Sequence, residues 1–105
     1  MKMALWIKAN GDTATVKPEN GKAFTLPEMQ KFVGGYIEAL RLENPPGGIL
    51  WLNDDGKRLK LPYNYIADLI AKTHTGISRD DYIVGDCLFA GEEESGEGEE
   101  EEEDE

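Results

Sequence analysis

An α+β fold is predicted: a single small domain, mostly antiparallel sheet, with two short helices on one face. Three observations predict it. The stretches "MALWIKA", "TATVK", "ILWLN" and "DYIVGDCLFA" alternate or run apolar in the manner of strands. Two segments, "TLPE" and "LPYNY", open like helices. The dipeptides Asn10-Gly11 and Asp55-Gly56 are favoured turn tips between neighbouring strands. The predicted order is β-β-(β)-α-β-β-β-α-β, the segregated pattern of an α+β domain.

In the first strand Met3, Leu5 and Ile7 alternate with Ala4, Trp6 and Lys8. "NGD" turns the chain into "TATVK", whose β-branched Thr13, Thr15 and Val16 favour a strand. "PENGK" turns it again, and "AFT" reads as a short extended piece. At "TLPE" Thr25 can cap, Pro27 fits a first turn where its missing N–H costs nothing, and Glu28 completes a capping box. The next stretch leaves two readings open. Leu26, Met29, Val33, Tyr36 and Leu40 share one helical face, which allows a helix through Leu42. Gly34 and Gly35 would each cost roughly 1 kcal/mol inside it. A helix ending at Val33 with a left-handed glycine cap, then a strand from Tyr36 to Leu42, avoids that cost and is preferred.

"ENPPGG" is a loop. "ILWLN" is a buried-type strand, Asp55-Gly56 a hairpin tip, and "RLKL" the returning strand. Asn64 caps a helix in which Ile66, Leu69 and Ile70 share a face, and "HTG" closes it. In the last strand Ile83, Cys87 and Phe89 fall on one side and Tyr82, Val84 and Leu88 on the other. Both faces are apolar, as an interior strand requires.

Charge divides the chain at Gly91. Of its 22 Asp+Glu, 11 fall in residues 92–105, which hold no base; the other 11 share residues 1–91 with all 11 Lys+Arg. A neutral globular domain (1–91) thus carries a polyanionic tail (92–105). The tail has no apolar residue and repels itself, so it is expected to be disordered. No apolar run is long enough to span a membrane, and the N-terminus lacks the apolar core of a signal peptide. One cysteine, Cys87, cannot form an internal disulfide, and a reducing cytoplasm is expected.

The stretches "LPEMQKFVGGYIEAL", "LWLNDDGKRLKLPYN" and "DYIVGDCLF" resemble the landmarks of a small domain-of-unknown-function family from phages, plasmids and other mobile elements. Those landmarks are a helix ending in Val-Gly-Gly-Tyr-Ile-Glu, an Asn-x-x-Gly hairpin leading to Leu-Pro-x-Asn, and a closing Ile-Val-Gly strand. The resemblance covers residues 24–90 and leaves the acidic tail outside. It implies an accessory protein of a mobile element in a bacterial cytoplasm, and it favours the strand after Gly35. It implies no activity.

No constellation for catalysis is evident. His74 and Ser78 sit together in "THTGIS", without the strained turn of a nucleophile. Cys87 stands alone mid-strand, as a buried inert thiol does. One Cys and one His are too few for zinc. "NDDG" and "RDD" hold acids, but "NDDGKRLKLPYN" lacks the glutamate that closes a calcium loop. No phosphate-binding glycine loop is present. The expectation is a non-enzyme with no cofactor and no metal.

Two features are left. Lys57, Arg58 and Lys60 lie near Trp51 and Tyr63, the basic-plus-aromatic pattern of single-stranded nucleic acid binders. The tail, with Glu99, Glu100, Glu101, Glu102, Glu103, Asp104 and Glu105 at its end, spaces its charges at roughly 3.3–3.6 Å when extended, near the ~3.4 Å of one DNA strand. It can mimic DNA towards a basic protein surface, fold back on the basic hairpin, or serve solubility alone. The expected function is therefore binding of a host or phage protein with a basic surface, one that handles nucleic acid among the candidates. The alternative is a single-stranded nucleic acid binder regulated by its tail. No membrane partner is expected, and the oligomeric state is left open.

Overall fold

The computed structural model describes residues 4–43, 47–75 and 77–91. The acidic stretch 92–105, with Glu99 to Glu105, lies outside them. The chain begins with β1 (Ala4–Ile7) and β2 (Thr13–Val16), joined across a loop in which the Asn10 side chain accepts from the Asp12 N–H. Next come α1 (Leu26–Val33), β3 (Ile37–Arg41), β4 (Ile49–Asn53), α2 (Tyr65–His74) and β5 (Cys87–Ala90). The five strands form one antiparallel sheet in the order β2-β1-β5-β4-β3. The α+β class and the interior place of the last strand agree with the sequence.

Both helices start where their capping residues require. Thr25 Oγ1 accepts from the Glu28 N–H, and the Glu28 carboxylate accepts from the Thr25 N–H. Gly34 ends α1 at φ 81°, left-handed, and its N–H donates to the Gln30 carbonyl at 2.8 Å. The strand after Gly35 follows at once, so the long-helix reading is excluded. Asn64 caps α2 by accepting from the Ala67 N–H.

The expectation that both helices share one face is corrected. Met29 and Val33 of α1 pack with Ile37, Ile49, Trp51, Leu88 and Ala90. Ala67 and Ala71 of α2 pack with Ile7, Leu50, Cys87 and Ile83. Ile49 and Trp51 thus go to one helix and Leu50 to the other. Side chains alternate across a strand, so α1 and α2 lie on opposite faces of the sheet. The reason is visible in the sequence. β4 and β5 are apolar on both sides and need a cover on each.

The predicted strand "RLKL" is also absent. β4 is paired on both edges, with β3 through Ala39↔Trp51 and with β5 through Trp51↔Leu88, so no edge is left for a returning strand. Residues 54–60 instead coil through successive turns, with Leu59 N–H donating to the Asp55 carbonyl and Leu61 N–H to the Gly56 carbonyl. Lys60 takes a positive φ of 59° there. The last strand is shorter than expected. Gly85, at φ 79° with Leu61 packed where a Cβ would stand, breaks the extended run before Cys87. "AFT" pairs with no strand, although Phe24 is fully buried against α1's side of the sheet.

Candidate functional site

The coil after β4 and the loop before β5 face each other over the edge of the sheet. Between them lies a cleft of about 300 Å³. Its floor is Leu40 of β3 and Leu52 of β4, on α2's side of the sheet but only half-buried. Ile77, Ile83 and Val84 form an apolar wall. Glu38, Asp54, Asp55 and Asp81 bring four carboxylates to it, and Lys57 and Arg58 bring two cations. Tyr82 stands at the margin, 45% exposed.

The two cations are already engaged. The Lys57 ammonium donates to the Asp81 carboxylate and stands 4.6 Å from the centre of the Tyr82 ring. That hydrogen bond raises the Lys57 pKa. It also lowers the pKa of Asp81, with help from the Tyr82 N–H. The Arg58 guanidinium meets Asp55 at 3.1 Å. Glu38 is in a different position. Burial raises its carboxyl pKa first, and the charges of Asp54 and Asp81 raise it further. Among the described residues neither Glu38 nor Asp54 has a salt-bridge partner. Nor do three carboxylates converge there closely enough to hold a metal ion.

The basic-aromatic cluster read from the sequence does not assemble. Trp51 is fully buried in the core between the sheet and α1, so no ring face is open to a base. This placement corrects its reading as a stacking residue: a tryptophan in the middle of a strand paired on both edges is core. Lys57 and Arg58 line the cleft, each paired with an acid. Lys60 is exposed on the coil. Tyr63 is half exposed, and its hydroxyl is tied down, donating to Asp68 Oδ2 at 2.7 Å, which raises its pKa. Asp68 in turn meets Lys72 at 3.2 Å and accepts from the Ile83 N–H. Asp68 therefore fastens α2 both to Tyr63 before it and to the loop before β5.

His74 and Ser78, the neighbours in "THTGIS", make separate contacts. The His74 carbonyl accepts from the Glu43 N–H, and Ser78 Oγ accepts from the Asp80 N–H. Cys87 is buried on α2's side, where desolvation pushes its thiol pKa up to about 12.

In the sequence "NDDG" reads as a hairpin tip and "RDD" stands far from it, so neither points to the other. Nothing in the sequence singles out Glu38. No local signal joins them, because the meeting is made by the sheet order and the coil.

No helix among the described residues is long and apolar enough to cross a membrane. No curated protein and no solved structure matches the chain. One family model does match, over residues 1–104, a span wider than the 24–90 that carries the sequence landmarks and inclusive of most of the acidic stretch. The chain therefore belongs to the DUF3846 family, a domain of unknown function.

Proposed function

We propose that this protein acts by binding and not by catalysis, and that its acidic C-terminal stretch engages a basic surface on a protein partner. In this reading it is an accessory protein of a phage or other mobile element, working in a bacterial cytoplasm. Its partner is a host or phage protein, with nucleic-acid-handling proteins the chemically natural class because their basic grooves accept a line of negative charge. The observation that carries the reading is the state of the basic coil. Lys57 and Arg58 are paired with Asp81 and Asp55, and Trp51 is inside the core. The domain's own candidate nucleic-acid surface is thereby neutralised and lacks its largest stacking ring. The 11 acids of residues 92–105 meet no base within their segment.

The test compares the full chain with a variant in which Glu99 to Glu103 and Glu105 become Gln and Asp104 becomes Asn. Both are offered a single-stranded DNA oligonucleotide and, separately, bacterial lysate, with captured proteins identified by mass. The full chain is expected to hold a basic protein and release it as salt shortens the screening length below ~10 Å. The neutralised variant is expected to lose that protein, and neither form should bind the oligonucleotide. Equal capture by both forms overturns the role of the acidic stretch. Tight oligonucleotide binding that disappears when Lys57, Arg58 and Lys60 are replaced overturns the reading in favour of a single-stranded nucleic acid binder.

A further inference from the structure

The sheet face under α2 is covered unevenly. Ala67 and Ala71 close it over Ile7, Leu50 and Cys87. Towards the β3 edge the cover stops, and Leu40 and Leu52 are left as the half-buried floor of the cleft. An open apolar floor of this kind fits a partner's side chain, and the charge around it says which kind.

We infer that the cleft receives one lysine or arginine side chain of a protein partner, its methylene stem lying on Leu40 and Leu52 and its cationic head between Glu38 and Asp54. This inference rests on the proposed basic partner and adds a second contact, on the folded domain.

Three observations select the occupant. First, the internal pairing leaves a deficit of positive charge. Lys57 and Arg58 satisfy Asp81 and Asp55, while Glu38 and Asp54 have no salt bridge among the described residues. Glu38 and Asp54 stand exposed at the rim, where two neighbouring like charges repel, and a cation placed between them offsets that repulsion. Second, apolar floor and acidic rim match a side chain that is aliphatic along its stem and charged at its tip, as lysine and arginine are. A phosphate, or the phosphate backbone that carries a nucleobase, would meet the wrong sign of charge, and a bare metal ion would leave the leucines unused. Third, the volume of about 300 Å³ is at the bottom of the range of roughly 300–1,000 Å³ that small-molecule pockets occupy. It suits a single anchoring side chain, and exposed Tyr82 supplies an aromatic neighbour of the kind enriched around such anchors.

The test is an amide NMR titration of the full chain with the peptide acetyl-Gly-Gly-Arg-Gly-Gly-amide. The control is the same peptide with citrulline, the neutral isostere, in place of arginine. Saturable shifts at Glu38, Leu52, Asp54 and Tyr82 are expected with arginine and not with citrulline. The double variant E38Q/D54N should bind the arginine peptide at least about fivefold more weakly. The citrulline control keeps the inference testable even if that variant folds poorly. Equal shifts from both peptides, or shifts only in residues 92–105, overturn it. Spermidine giving the same shifts at lower concentration also overturns it, because the occupant would then be a free polyamine. Repeating the titration on the chain with neutral residues 99–105 separates the two proposals. Cleft shifts that persist while lysate capture is lost support both. Cleft shifts that persist while capture is also unchanged leave this inference standing and remove the role of the acidic stretch. Capture lost with no cleft shifts in either form does the reverse.

Discussion

The Asn53 side chain donates to the Val33 carbonyl across 3.2 Å, tying the last residue of β4 to the last residue of α1. Its Oδ1 accepts from the Asp55 N–H at 2.8 Å, so the same side chain sets the start of the coil that walls the cleft. Gly35 lies against it, and a Cβ there would stand 2.9 Å from Asn53 Nδ2. Gly35→Ala is therefore expected to displace a buried amide from two hydrogen bonds and to lower stability by about 1–3 kcal/mol. Gly34→Ala meets no neighbour within 4 Å and should cost only its left-handed backbone, roughly 1–2 kcal/mol. Denaturant midpoints of both variants check the magnitudes. Repeating Gly35→Ala in an Asn53→Ala background checks the mechanism, since the cost should shrink there.

Asn64 is the corresponding link on the other face. Its Oδ1 caps α2, and its Nδ2 donates to the carbonyls of Ile7 at 2.9 Å and Gly85 at 2.8 Å. Asn64→Ala removes a cap and leaves two buried carbonyls without that donor, an expected loss of about 2–4 kcal/mol. Asn64→Asp keeps the capping oxygen but aims a carboxylate at both carbonyls. It should be the less stable of the two at neutral pH and should recover as acid protonates the new carboxyl. An Asn64→Asp variant more stable than Asn64→Ala already at neutral pH would show that the cap outweighs the clash of the carboxylate with the two carbonyls.

These two residues show how far the sequence reaches. Asn64 is legible as a cap, and Thr25 with Glu28 as a capping box, because capping is local chemistry within four residues. Gly34 is legible because glycine is costly in a helix and cheap in a left-handed cap. The alternation of Ile49, Leu50 and Trp51 is legible as a buried strand, yet no local pattern says that α1 covers one of its faces and α2 the other. Arg58-Leu59-Lys60-Leu61 has the rhythm of a strand and is a coil, because the edges of β4 are taken by β3 and β5, the latter coming from far along the chain. The cleft fails for the same reason. Glu38, Asp54 and Asp81 come together through strand order, which no local pattern encodes.

Cys87 gives a prediction that needs no partner. It is fully buried, and its thiol pKa is pushed up to about 12 by desolvation, with the charge of Asp86 adding to the shift. Thiolate is the reactive form, so a thiol reagent at neutral pH should leave the native protein unmodified. Reaction should appear only through opening of the fold and accelerate as denaturant raises the open population. Fast, stoichiometric labelling without denaturant would place Cys87 at an accessible surface and contradict its position under α2.

Glu38 joins the fold to the proposed site, and its titration tests the cleft's electrostatics directly. Its folded pKa is raised, by burial first and then by Asp54 and Asp81, while Lys57 pulls it down. A carboxyl raised above the ordinary value of about 4.3 holds its proton more tightly in the folded state. Stability is then fully present below that ordinary value and falls as pH rises through the folded pKa, because the unfolded chain binds fewer protons in that window. Glu38→Gln removes the charging step. The variant is expected to be more stable than the parent at pH 7, with the difference closing as pH drops to the ordinary glutamate range. Removing the nearby cation with Lys57→Met should push the Glu38 midpoint higher still. It should also release Asp81 from the hydrogen bond that lowers its pKa, raising that midpoint in the same sample. Side-chain carboxyl carbon shifts followed against pH report both groups at once. A Glu38 midpoint at or below the ordinary value, or a Glu38→Gln variant weaker than the parent at pH 7, would mean that a cation of the protein itself already satisfies this carboxylate. The cleft would then hold no vacancy for a partner's side chain.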